Sequence, residues 1–176
     1  MMPDRESSLP PAITDAVVTV GTFDGVHCGH QHVLARLRTR ARELGMAPVV
    51  VTFEPHPLEV VSPLDAPRRL TVREEKLLAL ASYGVEYVAV LPFTAGLSML
   101  SAEEFLRDVL IRRFHMRALL IGHDHGFGRG REGDADVVRG IGARDGFSRS
   151  RAINTRCRDT ESHSSGITGP YRPRRH

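Results

Sequence analysis

The stretch GTFDGVHCGHQHVL (21–34) decides how this chain folds and where its chemistry lies. It follows directly on the apolar run AVVTV (16–20) and leads into a helical pattern, so it is the junction of a strand and a helix. Three histidines, one cysteine and three glycines fall inside it. This combination at a strand–helix junction predicts a phosphate site, a metal site or simply a polar helix start.

The apolar stripe of the helix that follows extends backwards to two of the histidines. A helix that begins near His27 would carry His27 and His30 on its inner, sheet-facing edge, while His32 would face solvent or a neighbouring loop. The first turn of a helix presents unpaired backbone N–H groups, and its dipole favours an anion. Because Gly25 and Gly29 have no side chain, a ligand can approach the main chain there.

Two other interpretations of the histidines stay open. A zinc site could use the ligands of this stretch, but a structural zinc site needs four, usually in two spaced pairs, and no second pair has suitable spacing. The plainer interpretation is a helix start with two partly buried, hydrogen-bonded histidines. We predict no protein-bound metal. We favour phosphate because the pair follows a strand of the kind that binds ligands at its carboxyl end. The residues concerned are His27, Cys28, His30 and His32.

Apolar, β-branched runs alternate with helical patterns along the chain. None of the runs shows an in/out alternation, so each predicts a strand buried on both faces. The order predicts an α/β fold with a doubly wound parallel sheet, in which ligands bind beyond the carboxyl ends of the strands. Strands are predicted over 16–20, 48–53, 86–91 and 117–122, and helices over 30–44, 72–83, 102–114 and 134–144.

Helix boundaries have recognisable signals. Gly45 is expected to end the first long helix. Two Ser/Thr-x-x-Glu patterns predict capping boxes at the starts of later helices. These are Thr71 with Glu74, and Ser101 with Glu104.

The charge of the chain is unevenly distributed. The whole chain has a net charge of +3, but residues 148–176 hold seven arginines and two acidic residues, so the preceding part is mildly negative. This tail has no Leu, Val, Met or Phe and cannot bury enough apolar area to offset its ordering entropy. We therefore predict a flexible N-terminus over 1–15, one domain over 16–147 and a disordered basic tail over 148–176. A basic tail alone does not predict a nucleic-acid partner.

Composition excludes several protein classes. No apolar run approaches the ~20 residues that a membrane-spanning helix needs. The acidic, Pro-rich start is not a secretion signal, and two cysteines are too few for a disulfide framework, so we expect a cytoplasmic protein. There is no G-x-x-x-x-G-K-[ST] loop, and Lys76 is the only lysine, which excludes a P-loop kinase.

The stretch GTFDGVHCGH resembles the H-x-G-H signature of the nucleotidylyltransferase superfamily, carried by His27, Gly29 and His30. Four further segments of the chain follow this stretch, in the order that is typical of one branch of the superfamily. Together they resemble the FMN adenylyltransferase domain of bacterial bifunctional riboflavin kinase/FAD synthetases, over about residues 16–147. The segments are VVTFEPHP (50–57), RRLT (68–71), VLPFTAGLSMLSAEEFL (90–106) and IGHDHGFGRGREGD (121–134).

The resemblance implies a Rossmann-like nucleotidylyltransferase fold and a role for each matching residue. His27 and His30 would hold the ATP triphosphate and stabilise charge at the α-phosphate in the transition state. Gly29 would let the nucleotide lie against the helix start. The part of the site that binds ATP, called the ATP side below, would also include Gly21, Thr22 and Phe23.

The resemblance also implies a flavin side. Two prolines around a histidine would form a stiff wall beside the flavin, because proline fixes φ. The residues of this side are Pro55, His56, Pro57, Asp124 and Phe127. The family often has an aromatic residue where this chain has His125. Arg129 and Arg131 are candidates for phosphate contacts.

The implied reaction is ATP + FMN → FAD + pyrophosphate, with Mg²⁺ accompanying ATP. The FMN phosphate is largely ionised at neutral pH, since the second pKa of a phosphate monoester is ~6, so it needs no general base. Two alternatives stay open. One is a catalytically impaired remnant that still binds flavin or nucleotide. The other is a cytidylyltransferase of the same superfamily, which FEPHP and the Gly-rich loop disfavour.

After Phe147 the chain departs from the family pattern. The family continues with a last strand, an S/T-rich segment that contains an Arg, and a β-barrel riboflavin kinase domain. Here only AINTRCR (152–158) faintly resembles the S/T-rich segment. We therefore expect an incomplete C-terminal end, as a shifted reading frame would produce, and no riboflavin kinase domain. An exposed sheet edge would then favour self-association.

Overall fold

The described residues form one parallel, five-stranded sheet. The computed structural model describes residues 9–66, 73–121, 127–131, 133, 135–145 and 147–151. The strand order is β3-β2-β1-β4-β5, with β1 at the centre, and every pairing is parallel. This is a doubly wound order, and it confirms the predicted α/β class. The strands are β1 (Ala16–Val20), β2 (Ala47–Glu54), β3 (Tyr87–Pro92), β4 (Met116–Ile121) and β5 (Ser148–Arg151).

Helices cover both faces of the sheet. Each predicted helix is present, with ends that shift by one or two residues at most of the boundaries described. The helix predicted over 102–114 has a π-helical middle, because the stretch Phe105–Ile111 lies between α5 (Ala102–Glu104) and α6 (Arg112–Phe114). The helices are α1 (Cys28–Leu44), α2 (Pro57–Val61), α3 (Arg73–Ser82), α4 (Ala95–Ser98), α5 (Ala102–Glu104), α6 (Arg112–Phe114) and α7 (Ala135–Asp145).

The central strand has no solvent-facing side. All five residues of β1 are buried, as the run without alternation predicts. Ala16, Val18 and Val20 pack into the core that includes the π-helical stretch and α7, while Val17 packs into the core beneath α1 and α3. Each fully buried valine contributes about 1.5–3 kcal/mol relative to exposure. Burial on both faces therefore fixes the position of β1, and with it the position of whatever follows its carboxyl end.

The predicted cap signals are confirmed where they are described. Gly45 ends α1 with φ +64°, and its N–H donates to the carbonyls of Ala41 and Arg42. Ser101 and Glu104 form the expected capping box at the start of α5. The backbone N–H of Ser101 donates to the Glu104 carboxylate and holds the pKa of that group below its ordinary value. Thr71 lies outside the described residues.

Two predictions about the ends of the domain are corrected. Residues 148–151 belong to the predicted tail, yet they form β5 and pair with β4 from Ala118↔Ser148 to Ile121↔Arg151. The last strand of the sheet, expected to be missing, is therefore present. At the other end, residues 9–15 belong to the body of the domain, because Leu9 packs against the core and the Asp15 carboxylate pairs with Arg117 at 2.6 Å.

Within the described part of the chain, none of the helices combines the length and the apolar character that crossing a membrane requires.

The position of β5 makes a testable prediction about truncation. A chain that ends at Phe147 should melt roughly 3–10 °C below a chain that ends at Arg151. Each backbone hydrogen bond between β4 and β5 adds a net contribution of about 0.5–1.5 kcal/mol to the free energy of unfolding. In a protein of this size, 1 kcal/mol of that free energy corresponds to about 2–4 °C in melting temperature. The shorter chain should also associate more readily, since it exposes the edge of β4. Equal melting temperatures for the two truncated chains would show that β5 adds nothing to the fold.

Candidate active site

The junction between β1 and α1 has an unusual backbone. Phe23, Gly25 and Val26 have φ angles of 48°, 70° and 31°. Positive φ is uncommon for residues other than glycine and rarer still for a β-branched one. Here burial holds the conformation, because Phe23 is 2% exposed and Val26 is 5% exposed. Strained backbone of this kind clusters at functional sites, where the surrounding structure over-determines it.

Hydrogen bonds attach the junction to its surroundings. The N–H of Gly21 donates to the carbonyl of Val51 at 3.0 Å. The hydroxyl of Thr52, fully buried in β2, donates to the carbonyl of Thr22 at 3.0 Å. The side-chain amide of Gln31 donates to the carbonyl of Val26 at 3.1 Å. Sequence reasoning missed Thr52 and Gln31. The detectable signal for Thr52 was a polar residue inside the otherwise apolar run VVVTF.

The two histidines of the signature form a stacked pair. His27 is the N-cap of α1, and the ring centroids of His27 and His30 are 3.8 Å apart with 24° between the ring planes. The ring of Phe23 contacts His30 at 4.9 Å, tilted by 42°. His27 is exposed, His30 is half-buried and the Nδ1 atom of His30 is buried. His27 therefore occupies the N-cap position and stacks on His30, instead of lying on the inner edge of the helix as the sequence suggested.

This helix start is suited to an anion. The helix α1 is 17 residues long, and the His27 side chain makes no capping hydrogen bond to the backbone of its first turn. The N–H groups of the first turn and the dipole of a long helix both favour negative charge there. Since β1 is the central strand, the site lies beyond the carboxyl end of the sheet, where doubly wound folds bind ligands.

Gly29 leaves room for the imidazole stack. A Cβ atom at Gly29 would lie 3.1 Å from Cε1 and 3.2 Å from Nδ1 of His27. These distances are shorter than ordinary van der Waals contact, so a side chain at this position would have to displace the His27 ring. Gly29 thus has a second role beside the predicted approach of a ligand to the main chain: it keeps His27 over His30.

The predicted flavin wall lies at the end of the neighbouring strand. The strand β2 pairs with β1 and ends at Glu54, and the half-buried residues 55–57 follow directly. His56 is the N-cap of α2, and its Nδ1 atom accepts a hydrogen bond from the N–H of Leu58 at 3.2 Å. Pro57 occupies the first turn of α2. The wall and the histidine pair therefore lie at the same edge of the sheet.

A buried lysine also lies at this edge. Lys76 in α3 is 7% exposed, and its Nζ atom is 3.5 Å from the carbonyl oxygen of Phe53 near the end of β2. The same helix packs on the turn Asp24–Val26. Sequence reasoning used Lys76 only to exclude a P-loop kinase. Its burial near the end of β2 could not be inferred from a helix pattern in which charged residues are expected to face solvent.

Four phenylalanines form a row beneath the carboxyl edge of the sheet. Successive ring centroids are 5.3, 6.4 and 5.7 Å apart. The row connects the end of β2 with the start of the Gly-rich loop, and sequence reasoning did not identify it. Its members, in order, are Phe93, Phe53, Phe105 and Phe127.

The described part of the Gly-rich loop packs against α5. Phe127 is 7% exposed and belongs to the core, so little of its ring is left to face a ligand. Gly128, with φ +77°, lies so close to Ala102 that a Cβ atom would come within 2.7 Å of the Ala102 nitrogen. The N–H of Arg129 donates to the carbonyl of Leu100 at 2.8 Å, and the Arg129 side chain is exposed.

Several predicted positions lie outside the described residues. They include Asp124 of the flavin side, His125 and the side chain of Arg131, so their predicted roles stay predictions. For the zinc interpretation, the described residues contain no group of three or more His, Cys, Asp and Glu side chains that could hold a metal ion.

Comparisons with known proteins show what this chain is similar to. The model of the FAD synthetase family matches residues 9–166. The match begins before Ala16 and continues beyond Phe147 across 152–158, so the likeness is longer than the motifs alone indicated. It therefore includes AINTRCR, the segment that only faintly resembled the family.

Curated relatives carry the name bifunctional riboflavin kinase/FMN adenylyltransferase. The protein from Pseudomonas fluorescens is 43% identical over 141 residues, which are 80% of this chain and 45% of the relative. The protein from Escherichia coli K12 is 40% identical over 131 residues, which are 74% of this chain and 42% of the relative. The chain thus spans less than half the length of these relatives.

A solved structure has a similar fold. It is the crystal structure of a macrolide-efflux protein from Streptococcus pneumoniae, with a TM-score of 0.66 and 25% sequence identity. The likeness covers 78% of this chain and 45% of that chain.

The close approach of Gly29 to the His27 ring predicts that a substitution at Gly29 will stabilise the helix and at the same time disturb the histidine pair. Gly29→Ala should raise the melting temperature by roughly 1–4 °C, because alanine is better than glycine in a helix by about 0.5–1 kcal/mol. It should also change the NMR signals of the His27 and His30 imidazoles, because the His27 ring must move.

Gly140→Ala is the matched control, since Gly140 lies in α7 and a Cβ atom there would have nothing within 4 Å. It should stabilise without changing either imidazole. Unchanged imidazole signals in Gly29→Ala would show that Gly29 does not keep His27 over His30.

Proposed function

Because this chain belongs to the FAD synthetase family, we propose that it is an FMN adenylyltransferase, which transfers the AMP group of ATP to FMN and releases pyrophosphate. The observation that carries the proposal is the stacked pair of His27 and His30 at the start of a 17-residue helix. The pair follows the central strand of a parallel sheet, and helix starts in this position favour phosphate groups. Riboflavin kinase, the other activity in the relatives' name, is not proposed for this chain.

The reaction needs alignment and charge neutralisation more than proton transfer. An ionised oxygen of the FMN phosphate attacks the α-phosphorus of ATP, a new P–O bond forms, and the bond to the bridging oxygen of the β-phosphate breaks. The electron pair leaves with pyrophosphate, and no proton has to be removed from the nucleophile. The contribution expected of the protein is therefore to hold two anionic groups in line and to balance the charge that develops between them.

The histidine pair fits this task. Imidazole N–H groups and the backbone N–H groups of the first turn are donors that a triphosphate can accept from. The exposed His27 is accessible to ATP, and the half-buried His30 is held against Phe23 with its Nδ1 atom buried. We propose that His30 donates from its other nitrogen to the α-phosphate, while His27 binds the triphosphate.

The ATP side is completed by the main chain of the junction. Gly21 and Thr22 lie at the carboxyl end of β1, and the Thr22 carbonyl accepts a hydrogen bond from Thr52. Because the ring of Phe23 is buried, the contact that we propose between Phe23 and ATP is a main-chain contact. Mg²⁺ would be held chiefly by the triphosphate oxygens, as is usual at nucleotide sites, and would neutralise part of their charge.

For the flavin side we propose the wall of residues 55–57 together with Asp124, and Phe127, whose ring is buried, as an apolar support of this side. The support is the position of the wall, one strand away from the histidine pair and half-buried at the same edge of the sheet. The row of phenylalanines, three of whose rings are buried, gives this edge of the sheet a rigid apolar support. We further propose that the protein acts in the cytoplasm.

The proposed activity is tested by incubating the chain with FMN, Mg²⁺ and either ATP or CTP, and separating the flavins by chromatography. We expect FAD, together with an equal amount of pyrophosphate, with ATP only. A cytidine-containing flavin product with CTP would indicate a cytidylyltransferase. FMN binding without any product would identify the chain as a remnant that binds flavin and does not turn over.

His30→Ala should lower kcat/KM for FAD formation by ~10²–10³, which is the usual loss on removing one preorganised transition-state donor. The affinity for FMN should stay within about twofold, because the flavin side is built from other segments. His115→Asn is the control, since His115 is exposed at the amino end of β4, and asparagine tolerates its φ of 50°. Equal weakening of FMN binding by His30→Ala would refute this division of roles.

A further inference from the structure

We propose that Phe23 is a positioning residue for His30, so that its buried ring controls the rate of adenylyl transfer without contacting either substrate. The inference rests on the proposed function, because it deepens the role of His30. The imidazole of His30 contacts two rings: the exposed His27 at 3.8 Å and the buried Phe23 at 4.9 Å. Of these two rings, Phe23 is the one that the core fixes, so its contact restricts where His30 lies.

Phe23 is held more firmly than its place in a turn would suggest. It belongs to the core cluster beneath α1 and α3, and it is one of the largest fully buried side chains among the described residues. Its backbone has φ 48° and ψ 35°, the left-handed conformation that non-glycine residues seldom adopt. A residue in an unfavourable backbone conformation with a fully buried ring has little freedom to move alone.

Gly21, two residues before Phe23, leaves the space that the Phe23 ring occupies. A Cβ atom at Gly21 would lie 3.0 Å from Cε2 and 3.3 Å from Cδ2 of Phe23. The ring therefore fills the space beside the end of β1, and any larger residue at position 21 would push it. The left-handed conformation of Phe23 turns its side chain into the core and brings the ring against His30, one helical turn after His27.

The chemistry explains why such support matters. A histidine in the first turn of a helix has side-chain torsions that solvent leaves free unless neighbours restrict them. A transition-state donor has to be held close to its productive position before the reaction, and a displacement of about 1 Å can lower the rate ~10²-fold. The stack with His27 cannot supply this, because His27 is exposed and is itself expected to move when it binds phosphate.

The experiment compares two matched substitutions of buried phenylalanines. Phe23→Leu removes the ring beneath His30, and Phe114→Leu removes an equally buried ring at the amino end of β4, since these residues are 2% and 1% exposed. Both variants should lose similar stability. Phe23→Leu should lower kcat for FAD formation by about 10- to 100-fold with KM for FMN unchanged within twofold, while Phe114→Leu should keep kcat within twofold. Equal kcat losses in the two variants would overturn the proposal.

A double-mutant cycle separates positioning from general damage. If Phe23 acts through His30, then Phe23→Leu should lower kcat no further in the His30→Ala background. Full additivity of the two effects would contradict the proposal. Should Phe23→Leu fail to fold, Phe23→Met keeps a similar volume without the ring and is used in both experiments.

A readout without turnover distinguishes this inference from the proposed function. In the Phe23→Leu protein without substrates, the NMR signals of the His30 imidazole should shift and broaden, because the ring samples more orientations. Those of His115 should not change. This result would support the positioning role even if the wild-type chain made no FAD, whereas an unaltered His30 signal would refute it even if FAD formation were confirmed.

Discussion

The structure of the site depends on one constraint, the left-handed backbone between β1 and α1. Phe23, Gly25 and Val26 all have positive φ, and two of them carry large side chains. This conformation is unfavourable for an isolated chain, at about 1–3 kcal/mol for each non-glycine residue. It is stable here because both side chains enter the core and because the carbonyls of Thr22 and Val26 accept hydrogen bonds from Thr52 and Gln31. The turn therefore depends on the folding of the sheet around it.

The geometry of the proposed phosphate site follows from that turn. The chain leaves the buried central strand, reverses sharply and starts α1 with His27 as its N-cap, so the first turn of the helix lies beyond the carboxyl end of the sheet. His30 then stacks under His27, with Phe23 against it. The neighbouring strand β2 supplies the Thr52 hydroxyl that holds the turn, and the residues of the proposed flavin wall follow its end directly. A rigid element of the scaffold thus connects the two halves of the site, which is what precise alignment of two substrates requires.

Much of the fold could be predicted from the sequence, because its elements carry their own signals. The strand β1 has an uninterrupted apolar run, α1 has an apolar stripe that ends at Gly45, and α5 has its capping box. The strand β5 has no such signal. Its four residues, SRSR, show no apolar pattern, and they form a strand only because β4 offers an unpaired edge. The sequence pattern likewise contains nothing that distinguishes a π-helical stretch from an α-helix in the middle of 102–114.

The position of the histidine pair after the first strand was predicted, and its arrangement was not. The spacing of His27 and His30 indicated a shared function, but their stacking depends on the helix beginning at Cys28 and on the space left by Gly29. The central claim is that this pair binds the phosphates of ATP, and the most direct test is a titration of the wild-type chain with ATP and Mg²⁺, without FMN, followed by NMR of the histidine imidazoles. The signals of His27 and His30 should shift with one common, saturable dependence on ATP while those of His115, at the opposite edge of the sheet, stay in place. If the pair does not respond to saturating ATP, or if His115 responds equally, the claim is wrong.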